Sequence, residues 1–331
     1  MRALARILLG AMLLWTLAIP ATAEVNEVRI TKQPGLLYLP LIVMEENKLI
    51  EKHAKALGLP DLKVSWTLFN SGGAAVDALL SGNVDFVTSG CSNLLIAWAA
   101  TNGQIKGVGG AGALPMWLVT RNPNVKTIKD FTAADKIALP TIKVSSQATV
   151  LHIASEKEFG LADALKLDPY TVALGHPDAL IALQTGRDVD AHFSLPPYEQ
   201  QEVKFPGAHV VLNSFDVAGG PISNGCLFSS TKFHDANPKA YAAVFAALGE
   251  AHDIIKKNHR LVAQQYLQNT GEKWAVDDLV AMLNDPKFVY SLAPQRSMKL
   301  ADIMYRTGTI KKKADSWKDF FFTEVQNQPG S

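Results

Sequence analysis

The chain repeats one kind of unit three times: a short apolar run ends in a turn of small polar residues, and a helical pattern follows. The apolar runs cover residues 64–69, 86–89 and 136–139. Alternation of this kind predicts an α/β fold with parallel strands covered by helices. In such sheets the turns meet at the carboxyl ends of the strands. The turns are Asn70-Ser71-Gly72-Gly73, Gly90-Cys91-Ser92-Asn93 and Val144-Ser145-Ser146-Gln147.

Turns of this composition leave backbone N–H groups open to a ligand, and the positive end of a helix dipole lies behind each of them. Three such turns at one sheet edge favour a binding site for a small polar or anionic molecule. A single Ser/Gly turn before a helix is usually an ordinary N-cap, and this alternative stays open for each turn taken alone.

The first 23 residues have the pattern of a secretory signal peptide. Arg2 and Arg6 precede an almost unbroken apolar run over residues 7–19, and Ala21-Thr22-Ala23 fits the small-x-small cleavage pattern. The run is shorter than the about 20 residues that cross a bilayer, although an N-terminal anchor is the alternative. We predict a soluble protein exported to the periplasm and cleaved after Ala23.

Charge and motif content disfavour several function classes. A formal net charge of +1 gives no electrostatic reason to expect a nucleic-acid partner. The sequence has no nucleotide phosphate-binding fingerprint, no nucleophile elbow and no His-x-x-x-His pair, so we expect no enzyme, cofactor or metal. Cys91 and Cys226 either pair in an oxidising compartment, if the fold brings them together, or remain two separate small core residues.

Two similar sets of strands and helices, before and after about residue 120, precede a mainly helical end. The first lobe is predicted over 24–116 plus 222–331 and the second over 117–221, with two crossings near 116–120 and 219–221. Strands are predicted at 28–30, 64–69, 86–89, 105–109, 137–139, 171–174, 191–194 and 209–212. Helices are predicted at 39–49, 74–81, 94–102, 148–159, 177–185, 197–204, 260–268, 275–284, 294–306 and 315–325. Another helix follows Asn237-Pro238, with an apolar stripe at Tyr241, Phe245, Leu248, His252 and Ile255.

The order and spacing of several motifs resemble the solute-binding proteins of nitrate/sulfonate/taurine-type ABC importers, a family shared with thiamine-pyrimidine precursor proteins. The likeness spans essentially the whole sequence after the signal peptide. The two lone cysteines depart from the clustered-cysteine motif of the related pyrimidine-synthesising enzymes. The motifs are Gln33-Pro34-Gly35-Leu36 with Tyr38-Leu39-Pro40-Leu41, Asn70-Ser71-Gly72-Gly73, residues 78–86, residues 116–121 with 127–131, and Asp190-Ala191-His192-Phe193.

This resemblance implies a two-lobed periplasmic-binding-protein fold of type II, in which a pair of hinge crossings lets two lobes close over one ligand. It also implies a monomer that delivers the ligand to an ABC permease in the inner membrane. The ligand-binding residues that it suggests are Gln33, Tyr38, Asn70, Ser71, Gly72, Gly90, Cys91, Ser92, Ser145, Ser146, Gln147, His192, Phe193 and Ser194.

The loops that carry these residues contain no arginine, and only Lys32 and Lys143 stand beside them. A multiply charged phosphate would favour bidentate arginine partners, so we predict a small organic monoanion, a sulfonate in particular, or a neutral polar ligand. One alternative is a pyrimidine or other aromatic heterocycle between Tyr38 and Phe193. Others are an enzyme acting on such a ligand in the same cleft and a sensor domain that signals to a membrane kinase.

Histidine and further aromatic residues near these loops have two possible roles. His192 ends a predicted strand and is either a hydrogen-bond donor to an anion or a side chain satisfied by its own loop. His176, before Pro177 at a helix start, is a weaker candidate of the same kind. Trp117 and Tyr198 either line the pocket or fill the core.

Overall fold

The computed structural model describes residues 24–331, and the predicted signal peptide lies outside these residues. Two five-stranded sheets flanked by helices make up the fold. The strands are β1 (Glu27–Lys32), β2 (Lys63–Leu68), β3 (Phe86–Ser89), β4 (Ile105–Gly112), β5 (Trp117–Thr120), β6 (Ile137–Leu139), β7 (Thr171–Ala173), β8 (Ala191–Phe193), β9 (His209–Asn213) and β10 (Gly225–Ser230).

The helices flank the sheets and dominate the C-terminal part, as predicted. They are α1 (Leu39–Glu46), α2 (Leu49–Ala56), α3 (Gly72–Leu80), α4 (Cys91–Ala100), α5 (Ser146–Phe159), α6 (His176–Thr185), α7 (Tyr198–Glu202), α8 (Ser214–Ala218), α9 (Thr231–Ala236), α10 (Pro238–Lys257), α11 (His259–Thr270), α12 (Val276–Leu283) and α13 (Ser297–Arg306). None of these helices has the length and apolar character that crossing a bilayer requires.

Each sheet mixes parallel and antiparallel pairs. The first sheet has the order β2-β1-β3-β10-β4, and the second has β7-β6-β8-β5-β9. β1 runs parallel to β2 and β3, whereas β10 runs antiparallel to both of its neighbours. β5 is the corresponding antiparallel strand of the second sheet. The expected mainly parallel sheets are therefore mixed. The reason is that β5 and β10 follow the chain's crossings between sheets rather than the helical crossover that joins parallel neighbours.

The chain passes between the sheets twice, between Gly112 and Trp117 and between Asn213 and Gly225. Asn224 joins the two passages, because its side chain accepts from the Leu114 N–H (3.1 Å) and donates to the Leu114 carbonyl (2.6 Å). This bidentate link places the passages side by side at the base of the space between the sheets. The lobe limits given above stay a prediction.

Some predicted elements differ from the structure. The helix expected over 39–49 ends at Glu46, because Lys48 adopts a left-handed backbone conformation (φ 48°) and a second helix, α2, starts at Leu49. The helix expected over 315–325 is two short 3-10 turns, Trp317–Phe320 and Thr323–Val325. Ser316 and Asp319 form a capping box that closes the first turn.

The two cysteines are paired in a disulfide. Cys91 is the first residue of α4, and Cys226 lies in β10, which is hydrogen-bonded to β3 directly before that helix. Both side chains are buried, and their Cα atoms are 5.0 Å apart. Of the two alternatives open from sequence, the pairing is the one that the fold realises.

Candidate functional site

A cavity lies between the two sheets, at the carboxyl ends of β1, β3, β6 and β8. The half of the molecule built on the first sheet contributes Gln33, Leu37, Tyr38, Gly72, Ser89, Gly90 and Asn93 to its wall. The half built on the second sheet contributes Pro140, Thr141, Ser145, Ser146, Gln147, His176 and Leu195, and Asn224 comes from the second passage. The position agrees with the rule that ligands of open α/β sheets bind beyond the strand ends.

Glycine allows the two halves to approach at this point. A Cβ atom on Gly90 would lie 2.8 Å from Ser146 Oγ and 3.3 Å from the Ser146 nitrogen, which belong to the opposite half. A Cβ atom on Gly72 would lie 2.1 Å from Ser89 Oγ and 2.2 Å from Asn93 Nδ2. Gly90 therefore requires a residue without a side chain while the halves are in contact, and Gly72 requires one because side chains of its own half fill the space beside it.

The start of α5 supplies oriented polar groups to the wall. Ser145 is its N-cap, and its hydroxyl oxygen accepts from the Ala148 N–H at 3.2 Å. Ser146 Oγ donates to the Asn224 carbonyl at 3.3 Å, which links α5 to the second passage. The 14-residue helix directs the positive end of its dipole toward the cavity.

The wall is polar but carries no Lys, Arg, Asp or Glu side chain among the described residues. Gln33 donates from Nε2 to the Thr88 carbonyl (2.8 Å), and Asn93 donates from Nδ2 to Ser89 Oγ (2.6 Å). Burial raises the pKa of the Tyr38 phenol, so this side chain stays neutral. Arg121 does not reach the wall, because its guanidinium donates to the Leu183 and Gln184 carbonyls. The site offers neutral hydrogen-bonding groups rather than counter-charges.

His176 is the one titratable imidazole on the wall, and His192 stands behind it. His176 Nδ1 lies 2.8 Å from His192 Nε2, and His192 Nδ1 lies 2.5 Å from Glu202 Oε1. Burial, followed by the nearby His192, lowers the pKa of His176 well below its usual value. His192 is hydrogen-bonded to Glu202 of α7 and to His176 of α6 rather than to its own loop, and the weaker candidate His176 faces the cavity.

Half of the predicted site residues line the cavity and half do not. Those on the wall are Gln33, Tyr38, Gly72, Gly90, Ser145, Ser146 and Gln147. Those off the wall are Asn70, Ser71, Cys91, Ser92, His192, Phe193 and Ser194.

The residues off the wall have other partners. Asn70 lines an adjoining cleft, and the Ser71 hydroxyl lies 3.2 Å from that of Thr141 in the opposite half. Cys91 is in the disulfide, and Ser92 is buried in the first turn of α4. Phe193 is fully buried in the core, and Ser194 donates to Glu202 Oε1 at 3.3 Å. His192 and Phe193 are consecutive residues of β8, so their side chains face opposite sides of the sheet and cannot both reach one cavity.

Sequence reasoning missed several wall residues. Asn93 belongs to the second small-residue turn and lies in the first turn of α4, which could have indicated its position on the wall. Asn224 has no local signal, because it reaches the cavity through the second passage of the chain. The other missed residues are Leu37, Ser89, Pro140, Thr141 and Leu195.

The cavity is small, and a larger cleft adjoins it. The free volume of the cavity is about 20 Å³, which is room for one or two waters. The free volume of the cleft is about 480 Å³. Gln33 lines both spaces. The cleft wall also includes Lys32, Pro34, Ile42, Trp66, Leu68, Asn70, Pro177, Asn269, Thr270 and Glu272.

Comparisons with known proteins agree with this architecture. The sequence profile of the NMT1-like family matches residues 21–266. A putative aliphatic sulfonates-binding protein of Escherichia coli (strain K12) is 24% identical over 318 residues, which cover 93% of this chain and 92% of that protein.

Two solved structures show the same fold at low sequence identity. One is the alkanesulfonate-binding protein SsuA from Xanthomonas axonopodis pv. citri bound to MOPS, with a TM-score of 0.70, 20% identity and coverage of 88% of this chain and 96% of that one. The other is the periplasmic nitrate-binding protein NrtA from Synechocystis PCC 6803, with a TM-score of 0.60, 16% identity and coverage of 81% and 74%. The predicted periplasmic-binding-protein fold is confirmed.

Proposed function

This chain belongs to the NMT1-like family, and from that premise we propose that it is the solute-binding component of an ABC importer. It captures a small organic monoanion between its two halves and delivers it to a permease in the inner membrane. The observation that carries the proposal is the composition of the cavity wall. Both halves contribute to it, and every polar group on it is neutral or, in His176, titratable.

The number of polar groups matters because one helix start binds an anion only weakly. A single exposed helix end gains about 0.3–1 kcal/mol, and a partly buried one about 2 kcal/mol. Micromolar affinity needs about 8 kcal/mol. The starts of α3, α4, α5 and α6 all reach the cavity, through Gly72, Gly90, Ser146 and His176. Together with hydroxyl and amide donors, and with exclusion of water on closure, they supply this affinity.

The absence of a charged wall residue favours a monoanion over a phosphate. A phosphate ester carries close to two charges and is usually met by arginine in a bidentate arrangement. A sulfonate carries a single charge spread over three acceptor oxygens, which suits several neutral donors. We therefore propose an aliphatic sulfonate of the taurine type as the ligand.

The two connected spaces suit a ligand with a small head and an aliphatic tail. The head binds among the helix starts, and the tail extends past Gln33 into the cleft beside Trp66 and Leu68. A second candidate is an inorganic monoanion of nitrate size, which the small free volume of the cavity favours. The heterocycle alternative loses one of its two stacking walls, since Phe193 is buried in the core.

The test is a thermal-shift screen of the purified mature chain against taurine, ethanesulfonate, nitrate, bicarbonate and pyrimidines. A ligand at one hundred times its dissociation constant adds about 2.7 kcal/mol, which raises Tm by roughly 5 °C. We expect sulfonates to give the largest shift and mass spectrometry to recover them unchanged. Turnover of a bound compound would instead support an enzyme, and no shift with any anion would refute the proposal.

A further inference from the structure

A line of hydrogen bonds connects the cavity wall to a buried carboxyl group. Gln147 Nε2 lies 3.2 Å from His176 Nε2, on the cavity side of the imidazole. His176 Nδ1 lies 2.8 Å from His192 Nε2, and His192 Nδ1 lies 2.5 Å from Glu202 Oε1. All four side chains are buried, and His192 and Glu202 are wholly inaccessible to solvent. This line of hydrogen bonds therefore connects the hydrogen bonding of Glu202 with that of the ligand site.

The carboxylate fixes the direction of every hydrogen bond in this line. Glu202 accepts, so His192 Nδ1 carries a hydrogen, and a neutral His192 then has a lone pair on Nε2. His176 donates to that lone pair from Nδ1, which leaves a lone pair on its own Nε2. The Gln147 amide donates to this lone pair. A neutral histidine pair thus presents an acceptor at the cavity, which disfavours an anion.

One additional proton reverses the direction. A protonated His192 donates from Nδ1 to Glu202 and from Nε2 to His176 Nδ1. His176 then carries its hydrogen on Nε2, where the Gln147 amide can no longer donate, and His176 offers this hydrogen to an anion in the cavity. The positive charge stays on His192, 2.5 Å from the carboxylate, so burial of the pair leaves no uncompensated charge.

The surroundings of Glu202 favour such a cation. Its Oε2 atom has no hydrogen-bond partner among residues 24–331, although the side chain is fully buried. An ionised carboxylate in this position is costly unless a cation lies against it. Ser194 gives its other oxygen only a long contact of 3.3 Å.

Other titratable groups pack around the line from several elements. The Tyr198 ring stacks on His176 with centroids 5.9 Å apart, and its hydroxyl donates to Glu272 at 2.5 Å from the opposite half. Glu199, one turn before Glu202, accepts from the Trp117 N–H, and burial raises its pKa well above the usual value. Tyr38 faces the cavity from the first half. None of these groups is a lysine or arginine, so the histidine pair is the place where a cation forms.

We propose that the anion binds together with one proton taken from solvent, and that Glu202 and His192 are positioning residues that turn His176 from acceptor into donor. This inference rests on the proposed function and adds a rule for specificity: the site selects an acceptor anion only in its protonated state.

The pH dependence follows from linkage. Burial and His192 keep the pKa of His176 low in the empty cavity, and a bound anion favours the arrangement with the additional proton. Affinity is therefore greatest at low pH and falls as the pH rises, by up to tenfold per pH unit.

The experiment is titration calorimetry of ethanesulfonate into the mature chain between pH 5.5 and 8.5, at each pH in two buffers that ionise there with different heats: a carboxylate and Bis-Tris at the acid end, phosphate and Tris at the alkaline end. Ethanesulfonate stays ionised throughout, so a heat difference between buffers counts protons taken up by the protein. We expect uptake approaching one proton within this range and a dissociation constant that rises with pH. Glu202→Gln should abolish the uptake and flatten the pH profile. His176→Gln should bind without pH dependence, since its amide donates at any pH.

His152→Gln is the matched control, because His152 is a buried histidine of the same half that does not line the cavity. Its Nε2 atom lies 2.6 Å from Asp168 Oδ1. This variant should keep the uptake of the unmodified chain. Binding without proton uptake would overturn this inference and leave the proposed function intact. Uptake that persists in Glu202→Gln would overturn the assigned positioning role. If that variant does not fold, the proton count of the unmodified chain decides, and absence of all anion binding overturns both proposals.

Discussion

Single residues determine how closely the two halves approach. Gly90 and Ser146 belong to opposite halves, and the space between them is smaller than a methyl group requires. The contact exists only when the halves are closed, so a side chain at position 90 acts on closure rather than on the fold of either half.

Gly90→Val should raise the dissociation constant for the ligand at least tenfold, a loss of about 1.4 kcal/mol. The backbone at position 90 (φ −53°, ψ 136°) accepts valine, so the unliganded protein should keep its thermal stability. Calorimetric titration measures the affinity. Gly249→Ala, in the interior of α10 with its nearest neighbour 3.5 Å away, is the control and should bind normally. Unchanged affinity in Gly90→Val would show that this contact plays no part in binding.

His252 gives the protein an acid-sensitive core. Burial lowers its pKa from the usual value to about 4, and its Nδ1 atom has no partner. Since the folded-state pKa is below the unfolded one, the unfolded chain binds more protons between about pH 6.5 and pH 4. The free energy of unfolding should therefore be highest above about pH 6.5. Between about pH 6.5 and pH 4 it should fall by up to about 1.4 kcal/mol per pH unit.

Urea unfolding at a series of pH values tests this effect. His252→Gln should show a shallower fall in stability between pH 6.5 and 4 than the unmodified chain. His259→Gln, at the partly exposed start of α11, should follow the unmodified profile. Parallel curves for all three proteins would rule out His252 as the titrating group.

At the scale of elements, the sequence predicts those with a strong local pattern. β3, α4 and α5 follow from apolar runs, small-residue turns and helical periodicity, and the start of α5 lines the cavity as expected. The break between α1 and α2 at Lys48 is not predicted, because the left-handed backbone conformation of this lysine does not change the apolar pattern. The antiparallel direction of β10 is not predicted either, because its pairing depends on segments that are distant in sequence.

The features of the candidate site also divide into those that the sequence predicts and those that it does not. Ser145, Ser146 and Gln147 were predictable because one helix start presents all three. His176 lines the cavity and His192 lies behind it, although the sequence favours His192 as the ligand-binding residue. Which of the two lies nearer the cavity depends on how α6 packs on β8. The disulfide could be stated only as an alternative, since the contact of Cys91 with Cys226 depends on β10 returning beside β3.

The disulfide joins α4 to β10 across 135 residues of sequence. Replacing both cysteines with Cys91→Ala and Cys226→Ala should lower the free energy of unfolding by about 2–5 kcal/mol, because the unfolded chain loses a long-range constraint. Urea unfolding measures the loss. Dithiothreitol should destabilise the unmodified chain similarly and leave the double variant unaffected. Equal midpoints for the two oxidised proteins would contradict a stabilising role.

At the scale of the whole molecule, the proposal requires two halves that move about the paired passages at Leu114 and Asn224. The described arrangement is closed, with Leu36 N–H donating to the Pro196 carbonyl at 2.9 Å and Ser71 meeting Thr141 across the cleft. Further polar contacts between the halves join Tyr198 to Glu272 and Arg306 to Glu156, and such contacts can exchange with water on opening, so ligand binding can shift a balance between open and closed states.

Small-angle scattering of the mature chain should show this shift. We expect a smaller radius of gyration with saturating ethanesulfonate than without it, because the ligand stabilises the closed state. Gly90→Val should keep the larger value in both conditions. An unchanged radius on ligand binding to the unmodified chain would count against closure as part of the mechanism.

A crystal structure of the mature chain with ethanesulfonate tests the central claim most directly. We predict the sulfonate oxygens within about 3.2 Å of donors at the start of α5 and of His176 Nε2, beside Gly72 and Gly90, with the ethyl group directed past Gln33. A sulfonate bound elsewhere, with the cavity beside Gly72, Gln147 and His176 left empty, would contradict the account.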